Sequence, residues 1–180
     1  MLGQNPPIIC LQQIAALCLS KIMATWQFSV VLIPESWAQE NKYCPSSLFD
    51  EDGYYDTDAV WKENQPNPEF INLLSNLLPP AKSWSKEMLC WGNEEEHDIQ
   101  VGYEGKFIES IHIRLDLNQK LNSILVKLVK VSKELNCVLF FPELKTITEA
   151  NEFELRMALQ DSRAIKFVKD PHGYLDELQK

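Results

Sequence analysis

The sequence predicts an α+β fold in which a mixed, largely antiparallel sheet of about five strands carries helices on one face. Short apolar runs, typical of strands, alternate with segments whose apolar residues recur every three or four positions, as in helices. The chain has 180 residues, 45% of them hydrophobic, which is enough for one domain with a substantial core. We therefore expect a single α+β domain over residues 23–180.

Residues 1–22 form an apolar extension that matches neither a signal peptide nor a membrane span. No Lys or Arg precedes the apolar stretch, two glutamines interrupt it, and Leu17 stands where a lipoprotein signal needs a small residue before Cys18. We expect this extension to be weakly ordered or not part of the native protein, with Met23 as the start. A peripheral helix and a self-association segment are the alternatives.

The first predicted strand covers residues 26–33, an apolar run that Pro34 ends. Residues 35–69 differ in kind, since they hold three prolines, one glycine and many acids. We call this segment the excursion and expect it to lie on the surface. Residues 70–78 have helical spacing, and two prolines then end the helix.

A three-stranded antiparallel meander follows, with strands near residues 88–91, 99–103 and 106–117. The dipeptide Glu104-Gly105 predicts a tight hairpin turn. In the last strand, the alternation places one set of residues on the apolar face and the other on the polar face. The apolar set is Phe107, Ile111, Ile113, Leu115 and Leu117, and the other is Ile108, Ser110, His112, Arg114 and Asp116.

The C-terminal third predicts a helix, a strand and two more helices. Residues 121–135 have an amphipathic pattern, and residues 137–141 form an apolar strand. The helix is long enough to cross over the sheet, so the two strands that it joins suit a split βαβ unit. Thr146 and Glu149 have capping-box spacing for a helix to about residue 160, and residues 162–168 suit a short helix.

Acidic residues outnumber basic ones by 26 to 17, which gives a formal net charge of −9. Surfaces that bind nucleic acid or anionic lipid rely on clustered Lys and Arg, so we expect neither partner. The excess is local. The excursion holds nine acids and two bases, and residues 94–98 hold four acids and no base. A basic protein is the partner that this pattern favours.

Common catalytic and cofactor motifs are missing from the chain. It contains no G-x-x-x-x-G-K-[ST], G-x-G-x-x-G, H-E-x-x-H or G-x-S-x-G sequence. The five cysteines include no C-x-x-C pair, which is typical of reduced thiols in a cytoplasmic protein. We therefore expect no cofactor and no metal, and we favour a non-enzymatic protein over an enzyme.

The acidic loop at residues 50–58 invites comparison with a calcium site. When Gly53 is set at the sixth position of an EF-hand loop, Leu48 and Ala59 occupy positions that require carboxylates. The EF-hand interpretation fails. The alternatives are a looser cation site, a solvated loop, or a docking loop that uses Tyr54, Tyr55 and Trp61 beside the acids.

Two tryptophans of the excursion, Trp37 and Trp61, lie in polar sequence beside prolines. A large amphipathic ring in such sequence either packs back onto the domain or contacts a partner. Packing onto the domain is the favoured interpretation. Both residues nevertheless remain candidate binding residues with Tyr54 and Tyr55. The acids and histidine of residues 94–98 are expected to form a solvated hairpin tip, and a metal ligand or a base is the alternative role for the histidine.

His112, Arg114 and Asp116 share the polar face of one predicted strand, with Gln100 expected beside them. Alternate residues of a strand stand about 7 Å apart, so these side chains can converge on one ligand. An ion pair between Arg114 and Asp116 is the structural alternative. Sequence alone supplies no pocket for a catalytic role.

Several stretches between residues 78 and 140 resemble a group of small bacterial proteins of unknown function. They are Leu78-Pro-Pro-Ala-Lys-Ser-Trp-Ser85, Leu89-Cys-Trp-Gly92, Asp98-Ile-Gln-Val101, Ile111-His-Ile-Arg-Leu-Asp-Leu117 and Asn136-Cys-Val-Leu139. The resemblance implies a stand-alone bacterial cytoplasmic protein. The group has no established activity, so it carries over no functional residue.

These observations favour a non-enzymatic protein-binding module, of immunity or regulatory type, for a basic partner. Acidic loops would steer the partner, and aromatic residues would supply contact area. The alternative is a small-ligand-binding protein or minor enzyme that uses the polar sheet face around His112, Arg114 and Asp116.

Overall fold

The computed structural model of the chain describes residues 24–178, so the expectations for residues 1–22 lie outside the described part. The strands are β1 Gln27–Pro34, β2 Pro80–Ala81, β3 Met88–Gly92, β4 Asp98–Glu104, β5 Phe107–Asp116, β6 Cys137–Phe141 and β7 Thr146–Thr148. The helices are α1 Glu35–Glu40, α2 Asp58–Lys62, α3 Phe70–Leu77, α4 Asn122–Glu134, α5 Glu152–Asp161, α6 Arg163–Lys169 and α7 Pro171–Leu178. Within residues 24–178, no helix is long and apolar enough to cross a membrane.

The seven strands form one sheet in the order β2-β3-β4-β5-β1-β6-β7, with every neighbouring pair antiparallel. The predicted α+β class and the β3-β4-β5 meander are therefore confirmed. Both β5 and β6 run antiparallel to β1, which lies between them, so they are parallel to each other. Since α4 joins them, the split βαβ unit is also confirmed.

The sheet has seven strands rather than about five because a very short strand lies at each edge. At one edge β2 has two residues, and at the other β7 has three. Runs this short carry no visible alternation. Short edge strands also leave few unpaired backbone groups for pairing with another chain.

Helices cover one face of the sheet, which we call the helical face. Residues paired across antiparallel strands point to the same face, so Trp91, Ile99, Ile113 and Val30 form one row there. The indole N–H of Trp91 donates to Ser75 Oγ at 3.0 Å, which places α3 on this face. Helix α4 packs beside α3, and α5 packs beside α4.

The excursion covers part of the opposite face, which we call the excursion face. Here the row is Cys90, Gln100, His112, Val31 and Phe140. Phe49 and Tyr55 pack on Phe140, with ring centroids 5.9 and 5.5 Å apart. With cover on both faces, all eight residues of β1 are buried.

Hydrogen bonds fix the excursion to the part of β5 that extends beyond its pairing with β1. Thr57 Oγ1 donates to the Glu109 carbonyl at 3.0 Å. The Gln65 amide donates to the Ile108 carbonyl at 2.9 Å and accepts from its N–H at 2.8 Å. A side chain thus substitutes for the missing neighbouring strand.

The predicted faces of Phe107 and Ile108 are wrong. Phe107 is 50% exposed, whereas Ile108 is 3% exposed and joins the core. A register shift at Gly102/Tyr103 places Ile108 opposite Tyr103. The extra residue of this bulge reverses the alternation for residues before it.

Two further local predictions are wrong. Trp26, the first residue of the predicted strand, precedes β1 and is 37% exposed. The proposed capping-box threonine lies in β7, and the N-cap of α5 is Asn151, whose side chain accepts from the Glu154 N–H at 2.9 Å. Asn151 supplies the same capping chemistry five residues later.

Candidate functional site

The excursion face carries an ion pair between the buried Asp98 and the partly buried Arg114. Nε and a terminal nitrogen of Arg114 each donate to one carboxylate oxygen of Asp98 at 2.7 Å. Gln100 donates to the same carboxylate at 2.9 Å. Burial alone would lower the pKa of Arg114. The hydrogen bond and the negative charge of Asp98 outweigh this effect, so the pKa of Arg114 is raised. The expected pairing of Arg114 with Asp116 is therefore wrong.

His112 lies beneath the ring of Tyr55. The two rings stack with centroids 5.8 Å apart, and the Tyr55 hydroxyl lies 3.3 Å from His112 Nδ1. Burial, followed by the charge of Arg114, lowers the pKa of His112 to about 4. Burial also raises the pKa of Tyr55 to about 12, against a hydrogen bond from Ser29. Both groups are therefore neutral near pH 7, and the excursion covers the histidine.

Asp116 is 3% exposed and helps to hold the β3–β4 hairpin. Its backbone N–H donates to His97 Nδ1 at 3.0 Å. Gln27 of β1 donates to the carbonyls of Glu94 and Glu96 at 2.8 and 3.3 Å. The prediction of a solvated hairpin tip is therefore wrong for His97 and for Asp98, which begins β4 and is 2% exposed.

The sheet thus brings His112, Arg114 and Asp116 to one face without directing them at a common ligand. Each uses its polar groups on other parts of the domain. A cavity of about 360 Å³ lies nearby, and its lining includes Cys90, Glu94 and Asp98 but none of those three residues.

The candidate aromatic residues occupy different environments. Trp61 is 1% exposed, and Trp37 is half-buried against the core. This fits the interpretation in which both rings pack onto the domain. Tyr55 is half-buried over His112, while Tyr54 is 39% exposed. Of the four, Tyr54 offers the most surface to a partner.

Carboxylates from three separate segments meet beside α2. Burial raises the pKa of Asp58 to about 7, together with a hydrogen bond and charge from Asp56 and the charges of Glu109 and Glu104. Burial also raises the pKa of Glu109, with the charges of Glu104, Asp56 and Glu87 adding to it. These five residues form the acidic cluster: Asp56, Asp58, Glu87, Glu104 and Glu109.

Between Ala24 and Leu178, no ion pair within 4.0 Å involves a member of the acidic cluster. In that part of the chain, no three His, Cys, Asp or Glu side chains are grouped so as to hold a metal ion. Among these described residues the acidic cluster therefore has neither an ion-pair partner nor a metal-binding arrangement.

Exposed aromatic rings accompany the acidic cluster. Phe107 lies opposite Glu104 across the β4–β5 turn, and Tyr54 precedes Asp56 by two residues. Lys106 extends over the Phe107 ring, 5.4 Å from its centroid. We call the acidic cluster with Tyr54 and Phe107 the acidic surface.

Sequence reasoning missed Glu87, Glu104, Glu109 and Phe107 as binding candidates. Their only signal was two acids flanking the predicted hairpin turn. Their proximity to Asp56 and Asp58 arises because residues 57 and 65 dock on β5.

Comparisons of the chain with protein-family models, curated protein sequences and solved structures find no match.

Proposed function

We propose that this protein is a non-enzymatic binding module for a basic protein partner and that the acidic surface is its contact site. The observation that carries the proposal is that the five carboxylates of the acidic cluster have no ion-pair partner among residues 24–178 and lie beside the exposed Tyr54 and Phe107 rings. Clustered like charges raise the free energy of the folded protein. Lys and Arg side chains of a partner would lower it on binding.

The aromatic residues support the same proposal. Tyr54 and Phe107 are 39% and 50% exposed, and aromatic rings dominate the binding energy of many protein interfaces. The acids would accelerate association and select for basic partners, and the rings would slow dissociation. An immunity protein that neutralises a basic toxin is one concrete form of this function.

The alternative function at His112, Arg114 and Asp116 has weaker support. A ligand there would have to displace Tyr55 from His112 and compete with the bidentate contact that Asp98 makes with Arg114. Breaking a buried ion pair costs about 3–5 kcal/mol. The acidic surface requires no such rearrangement.

The proposal is tested by co-purifying the protein with basic proteins that are encoded beside its gene. The test variant combines Asp56→Asn, Glu104→Gln and Glu109→Gln. The matched control combines Glu94→Gln, Glu95→Gln and Glu96→Gln, which removes the same charge from the hairpin. Wild type and control should retain the partner, and the test variant should retain at least about tenfold less. Loss of the partner in the control alone would contradict the proposal.

A further inference from the structure

The outer face of α4 and α5 carries exposed apolar side chains. Phe153 is 68% exposed, Val126 is 52% exposed and Met157 is 42% exposed. Phe153 and Met157 are four residues apart on α5, so they share one face of that helix, and the buried Leu155 lies on the opposite face. We call Val126, Phe153 and Met157 the apolar patch.

A hydrogen bond joins the two helices at the apolar patch. Arg156, which lies between Phe153 and Met157 in the sequence, donates from a terminal nitrogen to Asn122 Oδ1 at 3.2 Å. Asn122 is the first residue of α4 and lies one turn before Val126. The apolar side chains of both helices therefore lie around one contact. Grooves between the side chains of packed helices can receive the side chains of a third helix.

The described part of the chain begins beside this patch. The Trp26 carbonyl accepts from the Leu117 N–H at 3.0 Å, so the residues that enter β1 lie next to the end of β5. Helix α4 starts five residues after Leu117, at Asn122. Residues 1–23, which precede the described part, are thus joined to it at the end of the sheet where α4 begins. A helix over residues 8–22 would be about 22 Å long, slightly longer than α4.

Residues 8–22 have a sequence that suits packing against an apolar surface. Several of their apolar residues recur at steps of three and four, which places them in one stripe of a helix. They are Ile8, Leu11, Ala15, Cys18 and Ile22. The polar Gln12, Gln13 and Ser20 fall outside this stripe, and Lys21 is the single charged residue of the segment. Transfer of such a stripe from water to an apolar surface is favourable.

We propose that residues 8–22 bind to the apolar patch of the same chain as an amphipathic helix. The stripe would cover Phe153, Val126 and Met157, and the bound segment would keep this patch from contact with other chains. The proposal selects the peripheral-helix alternative for the N-terminal extension. It is independent of the proposed function, because no member of the acidic surface belongs to α4 or α5.

Methyl nuclear magnetic resonance of the full chain and of a chain that starts at Met23 tests the proposal. The methyl signals of Val126 and Met157 should differ between the two chains, whereas the signal of Met88, on β3, should coincide. The differences should be the same at about 20 and about 500 μM protein, because binding within one chain does not depend on concentration. Coincident signals of Val126 and Met157 would overturn the proposal. Signals that change with protein concentration would also overturn it, since the patch would then bind a second copy.

A substitution in the apolar patch should release the segment. Phe153→Ser removes an exposed ring and leaves the core intact, so trypsin should cleave after Lys21 at least about tenfold faster than in wild type. Trp84→Ser is the matched control, because Trp84 is 70% exposed in the loop between β2 and β3. It should leave the cleavage rate unchanged. Equal rates in wild type and Phe153→Ser, or equal acceleration by the two substitutions, would overturn the assignment of the patch.

Discussion

Replacing Asp58 by Asn should reduce the pH dependence of stability. The pKa of Asp58 is about 7 in the folded protein, against an ordinary value of 3.8. Between these values the folded state holds a proton that the unfolded state releases. The contribution of Asp58 is therefore fully present below pH 3.8 and is lost as the pH rises through 7.

The magnitude follows from the exposure of the carboxyl group. For a fully buried group, a pKa difference of this size corresponds to about 4 kcal/mol. Asp58 is only half-buried, so solvent screening reduces the expected contribution to about 1 kcal/mol. Most of it should disappear between pH 5 and pH 8.

Urea unfolding of wild type and Asp58→Asn at pH 5, 6, 7 and 8 measures this contribution. The free energy of unfolding of wild type should fall by about 0.6 kcal/mol more than that of the variant over this range, because part of the ~1 kcal/mol is already lost below pH 5. The lowered pKa of His112, about 4, makes the free energy of unfolding rise with pH instead of fall. This effect is the same in wild type and variant, so it cancels in their difference. Glu51→Gln, in the same loop and outside the acidic cluster, should match wild type. Parallel curves for wild type and Asp58→Asn would refute the reasoning.

Three further predictions, which use four substitutions, test the sheet, its cover and a tight turn. Arg114→Ala leaves the buried Asp98 carboxylate without its ion-pair partner and should lower the free energy of unfolding by about 3–5 kcal/mol. A shift of the urea midpoint that corresponds to less than about 1 kcal/mol would argue against this ion pair. Tyr55→Ala uncovers His112, whose pKa, followed by nuclear magnetic resonance, should rise from about 4 towards its ordinary 6.5; a constant pKa would show that Tyr55 is not the cover. Gly92→Ala places a Cβ against a backbone carbonyl at φ +80° and should destabilise by more than about 2 kcal/mol, whereas Gly53→Ala, at φ +83° in open space, should cost about 1 kcal/mol. Equal losses for the two glycines would contradict the close approach at Gly92.

Periodicity identified the elements that have enough residues to show it. Helix α4 and strands β1 and β6 were predicted within about two residues, because each presents a long apolar run or stripe. The split βαβ unit followed from the length of α4. The edge strands β2 and β7 were missed because two or three residues show no pattern.

The site was less predictable because it depends on contacts between distant segments. His112 and Arg114 were placed on the correct face, but their partners Tyr55 and Asp98 come from the excursion and the neighbouring strand. A local bulge reversed the alternation at Phe107. The alternation of apolar and polar residues predicts which face of the sheet a side chain occupies. Which residues that side chain contacts depends on tertiary packing.

Chemical-shift mapping with a basic octapeptide of Arg, Lys and Ser tests the central claim most directly. At low ionic strength, the backbone amides of Tyr54, Asp56, Glu104, Phe107 and Glu109 should shift most, and the shifts should shrink when salt is raised. Shifts confined to residues 93–97, or spread evenly over every exposed acid, would contradict a specific acidic surface.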